Sequence, residues 1–203
     1  MERYTYQILR RIEESHWWFT GRRRLILDQI ARCHEGRRDL RALDLGCGTG
    51  IFLESLARYG EAVGLDSSPD ALAFCRERGL TRLVRADGGL IPFGDESFDL
   101  VTANDLIEHI EDDAAALREF HRVLKRGGRA FIFAPAFGFL WSLQDEISHH
   151  RRRYTRARLA RIIGEFSGGF AVMSRVGQAI GVFGPTRCTS AAAHYRSAQE
   201  MGA

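Results

Sequence analysis

The chain has 203 residues, 45% of them hydrophobic and 27% charged, which is the make-up of one globular domain with a full core and not of a disordered chain. Its 29 basic and 26 acidic residues leave a net charge of only +3, which excludes a histone-like polycation and an acidic tail protein. The balance conceals opposite regions, since residues 1–41 carry +4, residues 42–120 carry −10 and residues 121–175 carry +8.

Residues 1–39 are Arg-rich and helical in pattern, with an aromatic knot at His16-Trp17-Trp18-Phe19. From Leu40 onward, short apolar runs alternate with amphipathic stretches. Leu40 to Leu45 reads as a strand ending in glycines, and Ile51 to Tyr59 as a helix with Phe52, Leu53 and Leu56 on one side. A strand over Ala62 to Leu65 leads to a helix from Pro69 to Arg78, with proline at its start, where no N–H is needed. Leu83 to Ala86 and Phe98 to Ala103 are further strands. Ile110 to Leu124 has Ile110, Ala114, Leu117, Phe120 and Leu124 at helical spacing, and Gly127-Gly128 is expected to stop it. Ala130 to Ala134 is another strand, and Thr155 to Phe166 a helix that buries Leu159, Ile162, Ile163 and Phe166. Beyond Ser167 the pattern weakens, with short strands expected at Phe170 to Met173 and Ala179 to Phe183. Strands alternating with helices predict an α/β fold, a Rossmann-like, mostly parallel open sheet with helices on both faces.

Three segments carry the chemistry. In Asp44-Leu45-Gly46-Cys47-Gly48-Thr49-Gly50, an apolar strand runs into alternating glycines and then a helix. Ligands of open α/β sheets bind at such carboxyl strand ends. The third glycine comes one residue earlier than in the dinucleotide fingerprint, which argues against a pyrophosphate cradle. Asp66 ends the next strand and is placed to accept hydrogen bonds from ribose hydroxyls, while Ser68, just before Pro69, is suited to cap a helix. Arg85-Ala86-Asp87-Gly88 ends the third strand, where Asp87 is placed to accept from an adenine amino group.

Together these residues resemble class I S-adenosylmethionine-dependent methyltransferases, over about residues 40–135. The likeness continues through Ile91-Pro92-Phe93, Ser97-Phe98-Asp99-Leu100-Val101, Leu106-Ile107-Glu108-His109-Ile110 and Arg122-Val123-Leu124-Lys125-Arg126-Gly127-Gly128. This run is similar to the small-molecule branch that includes quinone-biosynthesis methyltransferases. The resemblance implies a strand order 3-2-1-4-5-7-6, with the last strands open to question because residues 177–203 depart from the family pattern. It implies S-adenosyl-L-methionine as cofactor, held by Asp44, Gly46, Cys47, Gly48, Gly50, Asp66, Ser67, Asp87, Gly88, Asn104 and Leu106. It also implies one methyltransferase domain over 1–203, divided into a helical cap (1–39), a cofactor-binding core (40–135), an acceptor-side segment (136–176) and an atypical tail (177–203).

The expected activity is methyl transfer by in-line displacement to a small-molecule acceptor, either anionic or linked to a lipid or glycan. His109 is the expected catalytic base, with Asp105, His149, His150 and Tyr154 as further candidates. Trp18, Arg22, His149, Arg152 and Tyr154 are expected on the acceptor side. The Arg run at 151–161 is either an anion clamp or a face that pairs with the acidic middle. An RNA-modifying enzyme and a non-catalytic cofactor-binding protein are the competing readings. Nucleic acid is not the expected partner, since neither Pro-Pro nor Pro-Cys, the dipeptides of base-methylating sites, occurs in the chain. Four scattered cysteines with no CxxC pair argue against a zinc ribbon or a disulfide framework, and no metal is expected. The longest apolar stretch, Ala130 to Leu143, is broken by Pro135 and Gly138 and is shorter than the roughly 20 residues of a spanning helix. A cytoplasmic protein is the expectation.

Overall fold

The computed structural model describes residues 3–34, 36–164 and 178–183. Five strands of near-continuous apolar sequence build a parallel sheet: β1 (Leu40–Leu45), β2 (Gly60–Asp66), β3 (Leu83–Arg85), β4 (Phe98–Asn104) and β5 (Leu124–Pro135). Their order is 3-2-1-4-5, and a sixth strand, β6 (Gln178–Phe183), pairs antiparallel with β5 at the edge. β1 and β4 are buried along most of their length, as central parallel strands covered on both faces must be.

The two faces recruit different helices. On one, Ile26, Ile30 and Cys33 of α2 (Trp17–Cys33) and Leu56 of α3 (Ile51–Leu56) cover Leu40, Ala42, Leu100, Phe131 and Phe133. On the other, Leu43, Leu45, Val101, Ala103 and Ile132 meet Ala116, Leu117, Phe120 and Val123 of α5 (Asp113–Val123) and Leu159, Ile162 and Ile163 of α7 (Arg156–Gly164). The alternation of Ala42 and Leu43 between these groups follows from the two-residue period of a strand. The N-terminal α1 (Arg3–Ile12) lies against α4 (Pro69–Glu77), where Tyr6 packs on Phe74.

The expected elements match with a few shifts that have local causes. The helix expected from Ile110 begins at Asp113, because Asp112 accepts the Ala115 amide at 2.8 Å and caps it there. Gly127-Gly128 does not stop that helix. The chain passes straight from Val123 into β5, and the glycines lie in a bulge between the Phe98–Leu124 and Leu100–Arg129 pairs, with Gly127 at φ +82°. Two short pieces were not expected: a 3₁₀ turn at Gly138–Leu140 and α6 (Leu143–Ile147). The strand expected at Ala179 to Phe183 is β6, whereas the one expected at Phe170 to Met173 and the remainder of the tail lie outside the described residues.

Candidate functional site

The carboxyl ends of β1, β2, β3 and β4 converge on one edge of the sheet. β1 delivers the glycine loop, in which Gly46, Gly48 and Gly50 all take positive φ (+66°, +54° and +84°). The Gly46 and Cys47 amides both donate to the Leu65 carbonyl, at 2.8 and 3.1 Å, tying the loop to β2. Asp66, at the end of β2, completes the tie. One carboxylate oxygen accepts the Gly48 amide and the other the Ser68 amide, both at 2.9 Å. Ser68 in turn caps α4 by accepting the Ala71 amide. Asp66 therefore braces the loop and faces the edge, and burial raises its pKa above the ordinary carboxylate value.

Asp44 lies behind the loop, fully buried, and accepts a 2.7 Å hydrogen bond from Thr102 of β4. Burial pushes its carboxyl up to about 7, opposed by the Thr102 hydrogen bond and aided by the Asp66 charge. Two carboxylates so placed favour a cationic ligand, which would relieve both.

The residues of the loop divide by role. A Cβ on Gly50 would stand 2.6 Å from Leu80 and 2.9 Å from Cys75, so this glycine serves helix packing. Cys47 is turned inward, its sulfur 3.8 Å from that of Cys75, and this contact together with burial holds the thiol protonated. Gly46 and Gly88, by contrast, both open toward Leu106, whose side chain would lie 3.0 and 3.1 Å from a Cβ at either position. Leu106 thus sits between the β1, β3 and β4 loops. Asp87 accepts the Gly89 amide at 2.7 Å, and the Ser67 carbonyl accepts from Arg85.

The β4 end is chemically the richest part. Both side-chain polar atoms of Asn104 are buried without a partner among the described residues, and so are both carboxylate oxygens of Glu108. Asp105, at φ +50°, is ion-paired with Arg22 of α2, whose guanidinium also lies over the Phe133 ring at 5.0 Å. His109 stacks edge-on against His150 with ring centroids 4.8 Å apart. Burial, and then the neighbouring His150, lower the His109 pKa, so its ring is neutral near pH 7. Burial, reinforced by the Asp105 charge, raises that of Glu108. His150 bonds Asp145, whose carboxyl Arg153 holds well below the usual range through two contacts of 2.8 and 2.7 Å.

The acceptor-side residues are less uniformly placed. Arg22 reaches the β4 end as described, Trp18 is half-buried beside Trp17, and His149 is exposed at φ +56°. Tyr154 is fully buried and faces no cleft. Its hydroxyl donates to Asp113 at 2.9 Å and lies 3.2 Å from the Ile107 carbonyl. Arg152 is engaged by Asp113 at 2.9 Å and by the Glu111 carbonyl. Arg151 and Arg158 likewise face Glu111 and Asp113. These arginines pair with the acidic middle of the chain, which is the structural of the two readings offered for that run.

Two features had no counterpart in the motif reading. Glu13, at the end of α1, is buried with Arg78 at 2.5 Å and accepts from Thr49, while Arg78 donates to the Thr49 carbonyl at 2.9 Å. The cap is thereby fastened to the back of the glycine loop. The Glu108, His109 and His150 grouping joins residues 41 positions apart, and only the EH dipeptide was visible as a signal.

Residues 43–132 match the family described as "Methyltransferase domain". Over 105 residues the chain is 38% identical to the demethylmenaquinone methyltransferase of Chlorobaculum parvum, covering 50% of this chain and 43% of that protein. Over 112 residues it is 37% identical to the ubiquinone biosynthesis O-methyltransferase of Methylococcus capsulatus, covering 51% and 47%. The chain thus matches less than half the length of these relatives. Among solved structures, the PH0226 protein of Pyrococcus horikoshii superposes with a TM-score of 0.70 at 21% identity over 91% of this chain and 99% of that one, a likeness of fold.

Proposed function

We propose, from the premise that residues 43–132 belong to the methyltransferase-domain family and form a class I Rossmann-like core, that this chain moves a methyl group from S-adenosylmethionine to an apolar small-molecule acceptor. The observation that carries the reading is the brace of Gly48 by Asp66 at 2.9 Å beside the buried Asp44. It presents a preformed glycine cradle with two acidic groups to a cationic ligand. The cofactor fits these residues. Asp66 keeps lone pairs that would accept from ribose hydroxyls, Asp87 and Gly88 would hold the adenine side, and the glycines, with Asp44 buried behind them, would hold the methionine part. The unpartnered amide of Asn104 supplies a donor and an acceptor at the same edge.

When bound, S-adenosylmethionine supplies an electrophilic sulfonium methyl, so the chain's task is to align an acceptor with it and exclude water. Arg22 and Asp105 close the cap against the β4 end. His109 offers a neutral imidazole there, with a lone pair for a proton or a cation.

The acceptor reading rests on the segment that follows β5. Phe139, Leu140, Trp141, Leu143 and Ile147 are all exposed, at 41–82% of their surface. This segment returns to the site through Arg151, whose amide donates to the Glu108 carbonyl at 2.9 Å. Exposed apolar side chains this dense mark a binding surface. They suit an acceptor with a hydrocarbon body, in keeping with the quinone-biosynthesis names of the relatives. The paired arginines at 151–158 give less support to an anionic acceptor.

The test is to incubate the protein with S-adenosylmethionine and short-chain prenylated hydroquinones, and to measure S-adenosylhomocysteine release. Turnover with these and not with RNA is expected. Turnover with RNA alone would contradict the reading.

A further inference from the structure

Glu108, His109 and His150 bring one carboxylate and two imidazoles together, with their ligand atoms all within 4.8 Å of one another. Glu108 is wholly buried and neither of its oxygens has a partner among the described residues. A buried carboxylate without a partner is costly, and the usual remedy is an opposite charge or a metal.

The surrounding hydrogen bonds orient the His150 imidazole toward that carboxylate. The His150 Nδ1 stands 2.9 Å from Asp145 Oδ1, and Asp145 is itself locked by Arg153 and by the Ser142 amide at 2.8 Å. A carboxylate only accepts, so Nδ1 carries the hydrogen and the Nε2 lone pair is free. That Nε2 lies 4.0 Å from Glu108 Oε1, close enough for one ion to bridge them. His109 stacks edge-on against His150, and one of its ring nitrogens falls in the same 4.8 Å grouping. A carboxylate partner such as Asp145 fixes the tautomer and direction of a metal-binding histidine. The nearby Arg22 charge is answered by Asp105 and so leaves Glu108 uncompensated.

We propose that Glu108, His109 and His150 form a site for a divalent transition-metal ion, contrary to the expectation of no metal from the sequence. Two imidazoles and one carboxylate suit zinc, cobalt or manganese and leave coordination positions open for an acceptor oxygen. The metal site stands on the geometry alone, while its use rests on the methyl-transfer reading. An acceptor hydroxyl placed on the ion gives its proton to water. Its oxygen then forms the bond to the methyl carbon as the methyl–sulfur bond breaks, and sulfur keeps the electron pair.

The experiment is titration of chelator-treated protein with Co²⁺, followed by visible absorption and calorimetry, with S-adenosylhomocysteine titrated into the same samples. One equivalent of Co²⁺ should bind with a d–d spectrum. Glu108→Gln and His150→Ala should each weaken it by at least about tenfold, and Asp145→Asn by about tenfold through loss of the orienting carboxylate. His121→Ala, on the outer helix, should bind as the parent does. Thermal melts confirm that each variant is folded. Absence of saturable binding, or binding unchanged in both ligand variants, overturns the metal site. A metal-binding protein that takes no S-adenosylhomocysteine overturns the methyl-transfer reading and leaves the metal site standing.

Discussion

Arg22 and Asp105 are 83 positions apart in sequence, yet their side chains form an ion pair that fastens the N-terminal cap to the end of β4. Asp105 holds a left-handed conformation at φ +50°, which is uncommon for a residue with a Cβ and turns its carboxylate toward α2. The pair makes the cap part of the site. Arg22→Ala should therefore depress turnover while leaving S-adenosylhomocysteine affinity within about threefold of the parent, and should cost about 1 kcal/mol of stability. A double-mutant cycle with Asp105→Ala, read from denaturant midpoints, measures the coupling directly.

Asp66 has two tasks that substitution can separate. Asp66→Ala removes the acceptor for the Gly48 and Ser68 amides and should weaken S-adenosylhomocysteine at least about tenfold, as loss of a charge-assisted contact predicts. Asp66→Asn keeps one acceptor oxygen and should lose less. Calorimetry on both variants is the check, and equal losses would show that the amide brace contributes nothing.

Much of this was legible in the sequence, for a physical reason. β1 and β4 are buried along most of their length, so their apolar runs stand out, and a loop of closely spaced positive-φ turns shows in the sequence as glycines. The parallel open sheet and the Asp44–Gly50 loop followed from these, and the strand order from the family resemblance that they carry. What the sequence hid depends on distant residues meeting. Glu13 reaches Arg78 and Thr49, and His150 reaches Glu108 and His109, through tertiary packing that has no period. α6 is five residues long, too short to show one. Tyr154 misled because a tyrosine after an Arg run looks like an acceptor contact, although its ring fills the core.

That correction gives the third prediction. Tyr154→Phe should lower stability by about 1–2 kcal/mol by leaving Asp113 short of a buried donor, with kcat/KM for the acceptor unchanged. Urea denaturation and steady-state kinetics together decide. A selective rise in acceptor KM at unchanged stability would return Tyr154 to the binding surface.

Gly48 and Gly50 should respond differently to alanine. Both have positive φ, but space around Gly48 is open, its nearest neighbour being the Gly46 carbonyl at 4.0 Å. Gly48→Ala should cost about 1–2 kcal/mol from backbone strain alone. Gly50→Ala adds overlap with Leu80 and Cys75 and should cost about 1–3 kcal/mol more. Thermal melts of the two variants test the difference.

Asp44 links pH to both stability and binding. Its carboxyl titrates at about 7 when folded, against an ordinary 3.8, so between those values the native chain holds a proton that the unfolded chain has released. Its contribution to stability is therefore present below about pH 4 and declines as pH rises to about 7. Asp44→Asn should flatten that decline. A cationic ligand favours the ionised form, so affinity for it should climb as pH rises toward and past 7.

The most direct measurement is a calorimetric titration of the folded protein, without acceptor, with S-adenosylmethionine, whose sulfonium carries the positive charge, from pH 6 to 8. One site per chain is predicted, tightening as pH rises, abolished or weakened at least about tenfold by Asp66→Ala, and losing its pH dependence in Asp44→Asn. A folded protein that gives no binding heat at any of these pH values and shows no ligand-induced rise in Tm would contradict the account.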